Sequence, residues 1–533
     1  MGRGRSLAVL LCCFLLAWAC KGDHIEETDT PPVARLRSVT IEAQTVILPA
    51  EGADEMPFRV REEDYEFNYD VNSPDCQIRL RMSDGKEPSL FRLLNVIKGE
   101  HGEYRAVIAD NGIDPDYVES VCIMLVLRGE GGQESYVPTE YFEVRSEAAG
   151  YGIIIKTGLP VLYLDTEGGK KITSKTTFVP ASMRIKGTGT YQSKGNMTCQ
   201  VRGRGNTTWS WPKKPYLVKF DTKQSLLGMP EHKRWVLLAN FMDRTMMRNL
   251  VSMKVASMTS LAWTPRCVPV ELVLNGQHVG NYLLIEQVRV SPNRVNISKK
   301  DGFLIELDFH YDNEVQWKDK HGNIPFGIKY PDPDTLTNGQ LMFIKNYITN
   351  AADVIYGSNF ADPVKGYAAW IDVDSFVDYW IVYEVMGNHE LGNPGSVFFH
   401  KEGGGKLIAG PCWDFDWGVL SYNTSPHAKT GFVNRNAIWY SRLFKDPVFA
   451  AKVRDRFLEL LPQLETIPAY IDECQQMLRK SAELNFAMWN PADDRSQNGG
   501  KIINGDENMT YDEAVARLRQ IYKERLVVMK EKL

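Results

Sequence analysis

Asp414 and Asp416 stand one residue apart in Gly410-Pro411-Cys412-Trp413-Asp414-Phe415-Asp416-Trp417-Gly418, walled by three aromatic residues and closed by a glycine. Such a stretch makes a poor surface loop and a good cation site. An extended chain turns alternate residues to one face, so both carboxylates are expected to point the same way. Hard cations such as Mg²⁺ take carboxylate oxygens, with phosphate oxygens completing the shell. The plainer alternative is a turn whose aspartates cap a helix while the tryptophans pack a core.

A second stretch supplies the opposite charge. In Val201-Arg202-Gly203-Arg204-Gly205-Asn206, Gly203 and Gly205 are expected to leave backbone amides open to a ligand, and Arg202 and Arg204 add positive charge beside them. Lys219, on the following strand, is the candidate for pairing with phosphates. Phosphoryl transfer needs these parts: cradled phosphates, a nearby cation, a metal, and a carboxylate to orient the acceptor hydroxyl. An ordinary turn with solvated arginines and a surface lysine remains the alternative. His389-Glu390 suggests a zinc hydrolase, but HExxH would need a histidine where Asn393 stands, and no GxSxG elbow occurs.

These stretches belong to a longer series of blocks. Val201–Trp209, Lys213–Asp221, Ser225–Pro230, Arg234–Asn240, Asp243 through Arg248-Asn249, Glu271–Gly276 and Gly280–Val288 follow one another in the order and spacing of the CotH family. The resemblance covers about residues 155–530, with its strongest blocks at 201–290 and 371–418. Members of that family have an atypical protein-kinase-like fold. The resemblance implies ATP and Mg²⁺ as cofactors and Ser/Thr of a protein partner as acceptor. It makes Asp414 the primary metal ligand and Asp416 the second, with Asn393 or Asn388 in support. Glu390 occupies the place where members carry the aspartate taken as catalytic base. Glutamate keeps the charge but moves the carboxylate out by one methylene, which bears on turnover more than on binding. Glu286-Gln287-Val288 is expected to approach the nucleotide base through its backbone. The expected helix 243–260 has no acidic residue after Asp243, so the lysine–glutamate pair of ordinary kinases is not expected.

Residues 1–19 read as a secretory signal. Arg3 and Arg5 precede an apolar run from Leu7 to Leu16, too short to span a bilayer. Cys20 then reads as the lipid anchor of a bacterial lipoprotein, with plain secretion as the alternative because Trp18 departs from the small or aliphatic residue usual there, and 20–36 as a tether. An exported, envelope location follows, with membrane contact only through that anchor. The formal charge of −5 argues against a nucleic-acid partner. Of nine cysteines none forms a CxxC pair, so zinc is not expected. Cys76 with Cys122 is the one disulfide pairing expected, with buried free thiols as the alternative.

The elements that must position the site give an α+β chain. Short alternating runs such as Gln77–Met82 predict an immunoglobulin-like β-sandwich over 37–147. A kinase-like two-lobed unit follows over 150–533, β-rich to about 300 and helical beyond. Asn275-Gly276 predicts a hairpin. Helices are expected at 337–355, 373–387, 446–465, 466–487 and 510–531. Because ATP is scarce outside the cytoplasm, the competing reading is a non-catalytic platform for a protein or glycan partner.

Overall fold

The computed structural model describes residues 155–489, 504–506 and 508–533, together with the strands between Leu36 and Ser146 and a few residues beside them. Residues 1–35, which hold the signal segment, Cys20 and nearly all of the tether, lie outside the described residues. The fold is mixed α+β. In its N-terminal region β1 (Leu36–Ile41), β3 (Ala53–Glu62), β6 (Glu103–Asp110) and β5 (Phe91–Lys98) form one sheet. A second contains β2 (Thr45–Leu48), β9 (Phe142–Ser146), β7 (Glu119–Arg128) and β4 (Cys76–Met82), with β8 (Glu134–Pro138) also paired to β7. Ile78 and Leu80 are buried, as the alternation of that run requires. The expected disulfide does not form. Cys76 pairs with Leu127 and Cys122 with Arg81, which sets the two cysteines roughly 17 Å apart along the ladder, beyond disulfide reach. Cys122, Cys199, Cys267, Cys412 and Cys474 are free thiols.

Seven strands then close a barrel: β10 (Val161–Thr166), β11 (Val179–Lys186), β12 (Lys194–Gly203), β13 (Tyr216–Leu226), β14 (Met229–Leu238), β16 (Gln277–Glu286) and β15 (Cys267–Leu274), in that spatial order. The parallel pairing of β15 with β10 seals it. Alternation divides each strand between two environments. Val218, Phe220, Trp235, Leu237, Tyr282 and Leu284 fill the interior. Leu217, Val236, Leu238, Leu283 and Ile285 point outward into a second core shared with the C-terminal part. The β15–β16 hairpin turns at Asn275 (φ 51°) and Gly276 (φ 76°), the left-handed pair that an Asn-Gly turn supplies.

The C-terminal part carries a five-stranded sheet as well as helices. Its order is β18 (Gln316–Lys318), β19 (Pro325–Tyr330), β17 (Phe303–Leu307), β20 (Val397–Lys401) and β21 (Leu407–Ala409). Around it stand α2 (Asn338–Tyr356), α3 (Val373–Val385), α4 (Tyr440–Leu443), α5 (Pro447–Leu464), α6 (Ile467–Met488) and α7 (Tyr511–Lys532). Both α2 and α7 start on a capping box, Thr337 with Gln340 and Thr510 with Glu513. The helix expected over 243–260 is only α1, Arg248–Ala256. Asp243 is the reason for the late start. Its carboxylate accepts from the Thr245 hydroxyl and amide and from the Arg248 amide, 2.8 Å away, so five residues are spent folding over it before the first turn. No helix among the described residues is long and apolar enough to cross a membrane.

Candidate functional site

A cavity of about 600 Å³ opens between the mouth of the barrel and the C-terminal part, and most of the expected site residues line it. From the barrel come Arg202 at the end of β12, then Arg204 and Gly205. From the other side come Glu390, Asn393, Asp414 and Asp416. Glu306 and Asp308, at the end of β17, line it too, and the sequence reading passed over both. Their one signal was a pair of acids closing the run Phe303-Leu304-Ile305-Glu306-Leu307-Asp308, where a purely buried strand would carry none.

Three expectations need correction. Gly203 is not an open amide: its N–H donates to the Ser174 carbonyl at 2.8 Å, and a side chain there would overlap the Trp209 ring. Its missing side chain makes room for an indole. Lys219 does not line the cavity. Leu217 does, and Lys219 shares its face of β13 two residues on, about 7 Å away, with its ammonium 5.8 Å from the centre of the Phe178 ring. Nor is the acid-bearing loop extended. Asp414 sits at φ 64°, a left-handed conformation that aspartate tolerates better than most residues. In the Glu286–Val288 stretch the Glu286 amide donates to the Arg266 carbonyl and the Gln287 carbonyl accepts from Arg294 at 2.7 Å. Gln287 instead lines the cavity, with its Oε1 buried and unpartnered.

The acid loop is pinned from outside. The Asn249 side chain accepts from the Phe415 amide at 2.8 Å, and Asn504 accepts from the Gly418 amide at 3.0 Å while donating to the Asp416 carbonyl. The Ser396 hydroxyl donates to Asp414 Oδ2 at 3.4 Å. Beneath the loop Arg248 is fully buried, paired with Asp243 and, at 2.6 Å, with Asp506, and its Nε donates to the Val419 carbonyl. The tryptophan side of the cavity is a stack of Trp211 on Trp417, 6.0 Å apart and 5° from parallel.

Electrostatics divide the cavity in two. Burial, and then the charges of Asp414 and Asp243, push the Asp416 carboxyl up to about 8. Burial raises Asp414 as well, against the pull of Arg204. Glu390 is raised well above the carboxylate range by burial and then by Asp414, Asp416 and Asp308, and its Oε2 is buried without a partner. On the barrel side, burial lowers Arg202, and Arg204 and Arg289 lower it further. Burial lowers Arg204 too, opposed by Asp414, Asp416 and Glu306, and its guanidinium lies 5.6 Å from the centre of the Trp413 ring. Glu306 is paired with Lys329 at 3.0 Å, and Arg204 and Asp414 act on each other across the cavity, but among the described residues Arg202, Arg204, Asp414, Asp416 and Glu390 form no close ion pair.

These donors suit a hard cation held by one or two carboxylates with the rest of its shell from phosphate and water. Among the described residues no three His, Cys, Asp or Glu side chains converge to cage a metal by themselves. Asn393 lines the cavity but is exposed at its rim.

Among solved structures the chain is similar to a marsupial T cell receptor (12% identity, 35% of this chain and 92% of that one, TM-score 0.14). It is similar also to the Escherichia coli adhesin FdeC (13% identity, 38% and 59%, TM-score 0.16). A third is domains 4–9 of the surface layer protein SbsC (11% identity, 38% and 29%, TM-score 0.14). No curated protein matches the chain. The family model "CotH kinase protein" matches residues 201–529, more than half of the chain and the whole of the cavity's lining except Lys175, and the chain therefore belongs to the CotH kinase family.

Proposed function

We propose that this cavity binds Mg-ATP and transfers its γ-phosphoryl group to a Ser or Thr hydroxyl of a protein, within a kinase-like two-lobed unit whose first lobe is the barrel. The observation that carries the reading is the pairing of unmet charges: acids raised and arginines lowered, facing each other in one space. A metal–polyphosphate is the ligand class that answers both walls at once. Arg202 and Arg204 are placed for the phosphates, and Asp414 and Asp416 for the metal. With a metal held by Asp414 and Asp416, the site would offset the charge that develops on the phosphates.

Glu390 is the candidate base. As the acceptor oxygen bonds to phosphorus, the bond from phosphorus to the bridging β,γ oxygen breaks, ADP leaves, and the hydroxyl proton passes to Glu390. That requires an ionised Glu390. Burial raises Glu390 first and the charges of Asp414 and Asp416 raise it further, so offsetting those two charges favours the ionised base. The glutamate in place of the family's aspartate supports a second reading, a domain that binds nucleotide and transfers slowly or not at all.

The test is to heat residues 21–533 with and without millimolar Mg-ATP, beside Asp414→Ala. A rise in melting temperature that the variant loses supports the site, since a ligand stabilises the state it binds. No rise in the parent chain overturns it. Transfer of labelled γ-phosphate then separates enzyme from binder. We also propose export and lipid anchoring at Cys20, with the N-terminal sheets as an immunoglobulin-like spacer. Loss of acyl labelling in Cys20→Ser checks the anchor.

A further inference from the structure

The cavity does not end at Glu390. A second, open groove of about 400 Å³ adjoins it, and Phe309 and Asn393 line both. Gly395 marks the junction: a Cβ built there lies 3.2 Å from the Phe309 ring and 3.9 Å from Glu390 Oε1. The candidate base therefore faces the meeting point of the two spaces. The Phe309 amide donates to the Pro394 carbonyl at 2.6 Å and fixes this dividing wall.

The far wall of the groove and the base are built as one unit. Asn434 receives its position from buried Glu384, which accepts the Asn434 amide at 2.8 Å and is itself paired with Arg525. The Asn434 side chain donates to the Asn388 carbonyl at 2.7 Å, and the Asn388 side chain accepts the Glu390 amide at 2.9 Å. Asn436 and Ile438, which line the groove, follow directly in the chain. Ile438 holds φ 36°, and Asn323 across the groove holds φ 52°. A β-branched residue at positive φ is strained, and such strain collects where the surrounding structure fixes a functional shape.

The lining is amide-rich. Asn323, Asn393 and Asn436 are exposed, and among the described residues their carboxamides make no hydrogen bond within the chain. Lys318 is the one charged residue lining the groove among the described residues. A carboxamide carries a donor and an acceptor side by side, the complement of a peptide unit. Of the two rings bordering the groove, Tyr356 stacks on His321 at 4.8 Å, and Phe309, tilted against His310, stays exposed at the junction. The three carboxamides favour main-chain recognition.

We infer that this groove is the acceptor subsite, and that it holds an extended peptide by its main chain so that a Ser or Thr hydroxyl reaches the junction beside Glu390. The inference rests on the phosphotransfer reading for the reaction, though not for the binding. In the full chain, Asn436→Ala with Asn323→Gly removes two exposed carboxamides, glycine keeping the left-handed backbone at 323. With Mg-ATP and a pool of nine-residue peptides bearing one central serine, the double variant is expected to raise the peptide KM about tenfold. Its Mg-ATP melting shift and ATP KM stay at the parent values. An unchanged peptide KM overturns the subsite, as does phosphorylation of an oligosaccharide pool in preference to the peptides.

A photoreactive benzoylphenylalanine in place of Asn436 reads binding without turnover. If it captures the peptide pool while no phosphate is transferred, the subsite stands and the reaction falls. If it captures nothing beyond a control position on α7, the subsite falls whatever the nucleotide does.

Discussion

Replacing Asp416 by asparagine should make the nucleotide-free protein more stable at neutral pH, although Asp416 is proposed as a ligand. In the folded chain its carboxyl is pushed from 3.8 up to about 8, by burial first and then by Asp414 and Asp243. A carboxyl raised on folding keeps its proton in the native state after the unfolded state has lost it. Stability is then greatest below pH 3.8 and declines as pH rises toward 8. At pH 7 the full effect would be about 4 kcal/mol against folding, of which some 2–3 kcal/mol accrues above pH 5. The charge is shared with Asp414, and the cavity admits solvent, so a net gain of about 1–2 kcal/mol is the working figure for Asp416→Asn at pH 7. For a unit of this size that is a melting temperature higher by about 2–3 °C. The assay is a thermal or urea melt of parent and variant at half-unit steps from pH 5 to 8, without divalent cation and then with Mg-ATP. The parent should lose stability across that window while the variant loses less, and Mg-ATP should flatten the parent's decline only. A parent whose stability is level or rising from pH 5 to 8, with the variant parallel to it, would refute the unmet-charge argument.

Other perturbations act on separate parts of the same machine. Glu390→Gln should cut labelled phosphate transfer by about 10²–10⁴-fold while leaving the Mg-ATP melting shift in place, the mark of a base rather than a ligand. Gly203→Ala drives a methyl into the Trp209 ring and should cost about 1–3 kcal/mol in a urea melt, with the expressed protein checked for folding by circular dichroism. Arg248→Met strands Asp243 and Asp506 as buried unpaired acids and should cost about 3–5 kcal/mol, again read by urea melt.

What the sequence revealed about the site followed a chemical rule. Asp414 and Asp416 stood out because acids are rare among tryptophan, phenylalanine and cysteine. Arg202 and Arg204 stood out because glycines flanked them. Glu306 and Asp308 did not, since they arrive at the cavity through β17, the central strand of a sheet whose partners β19 and β20 lie about 20 and 95 residues further on. Barrel closure was invisible for the same reason: β10 meets β15 across more than a hundred residues of chain, and no local pattern encodes a parallel pairing at that distance. Lys219 was misplaced by its strand rather than its chemistry. It shares a face of β13 with Leu217, but nothing in the sequence says how far along that face the cavity ends. The start of α1 was missed because Asp243 reads as an ordinary polar residue until its hydrogen bonds are seen.

Arg248 explains why a buried charge is kept where an apolar residue would be cheaper. A buried ion pair is weak evidence of stability, because desolvation cancels most of its attraction. What Arg248 supplies is register among three distant segments. One guanidinium binds Asp243 between β14 and β15, Asp506 before α7, and the Val419 carbonyl just beyond the acid loop. Asn504, two residues from Asp506, then ties down Gly418 and Asp416. The loop that must present two acids against their mutual repulsion is thus held by its backbone, not by its carboxylates. The carboxylates, bonded to each other and to the Ser396 hydroxyl, still line the cavity, which is the condition a site must meet if it is to take up a cation with its nucleotide and release both.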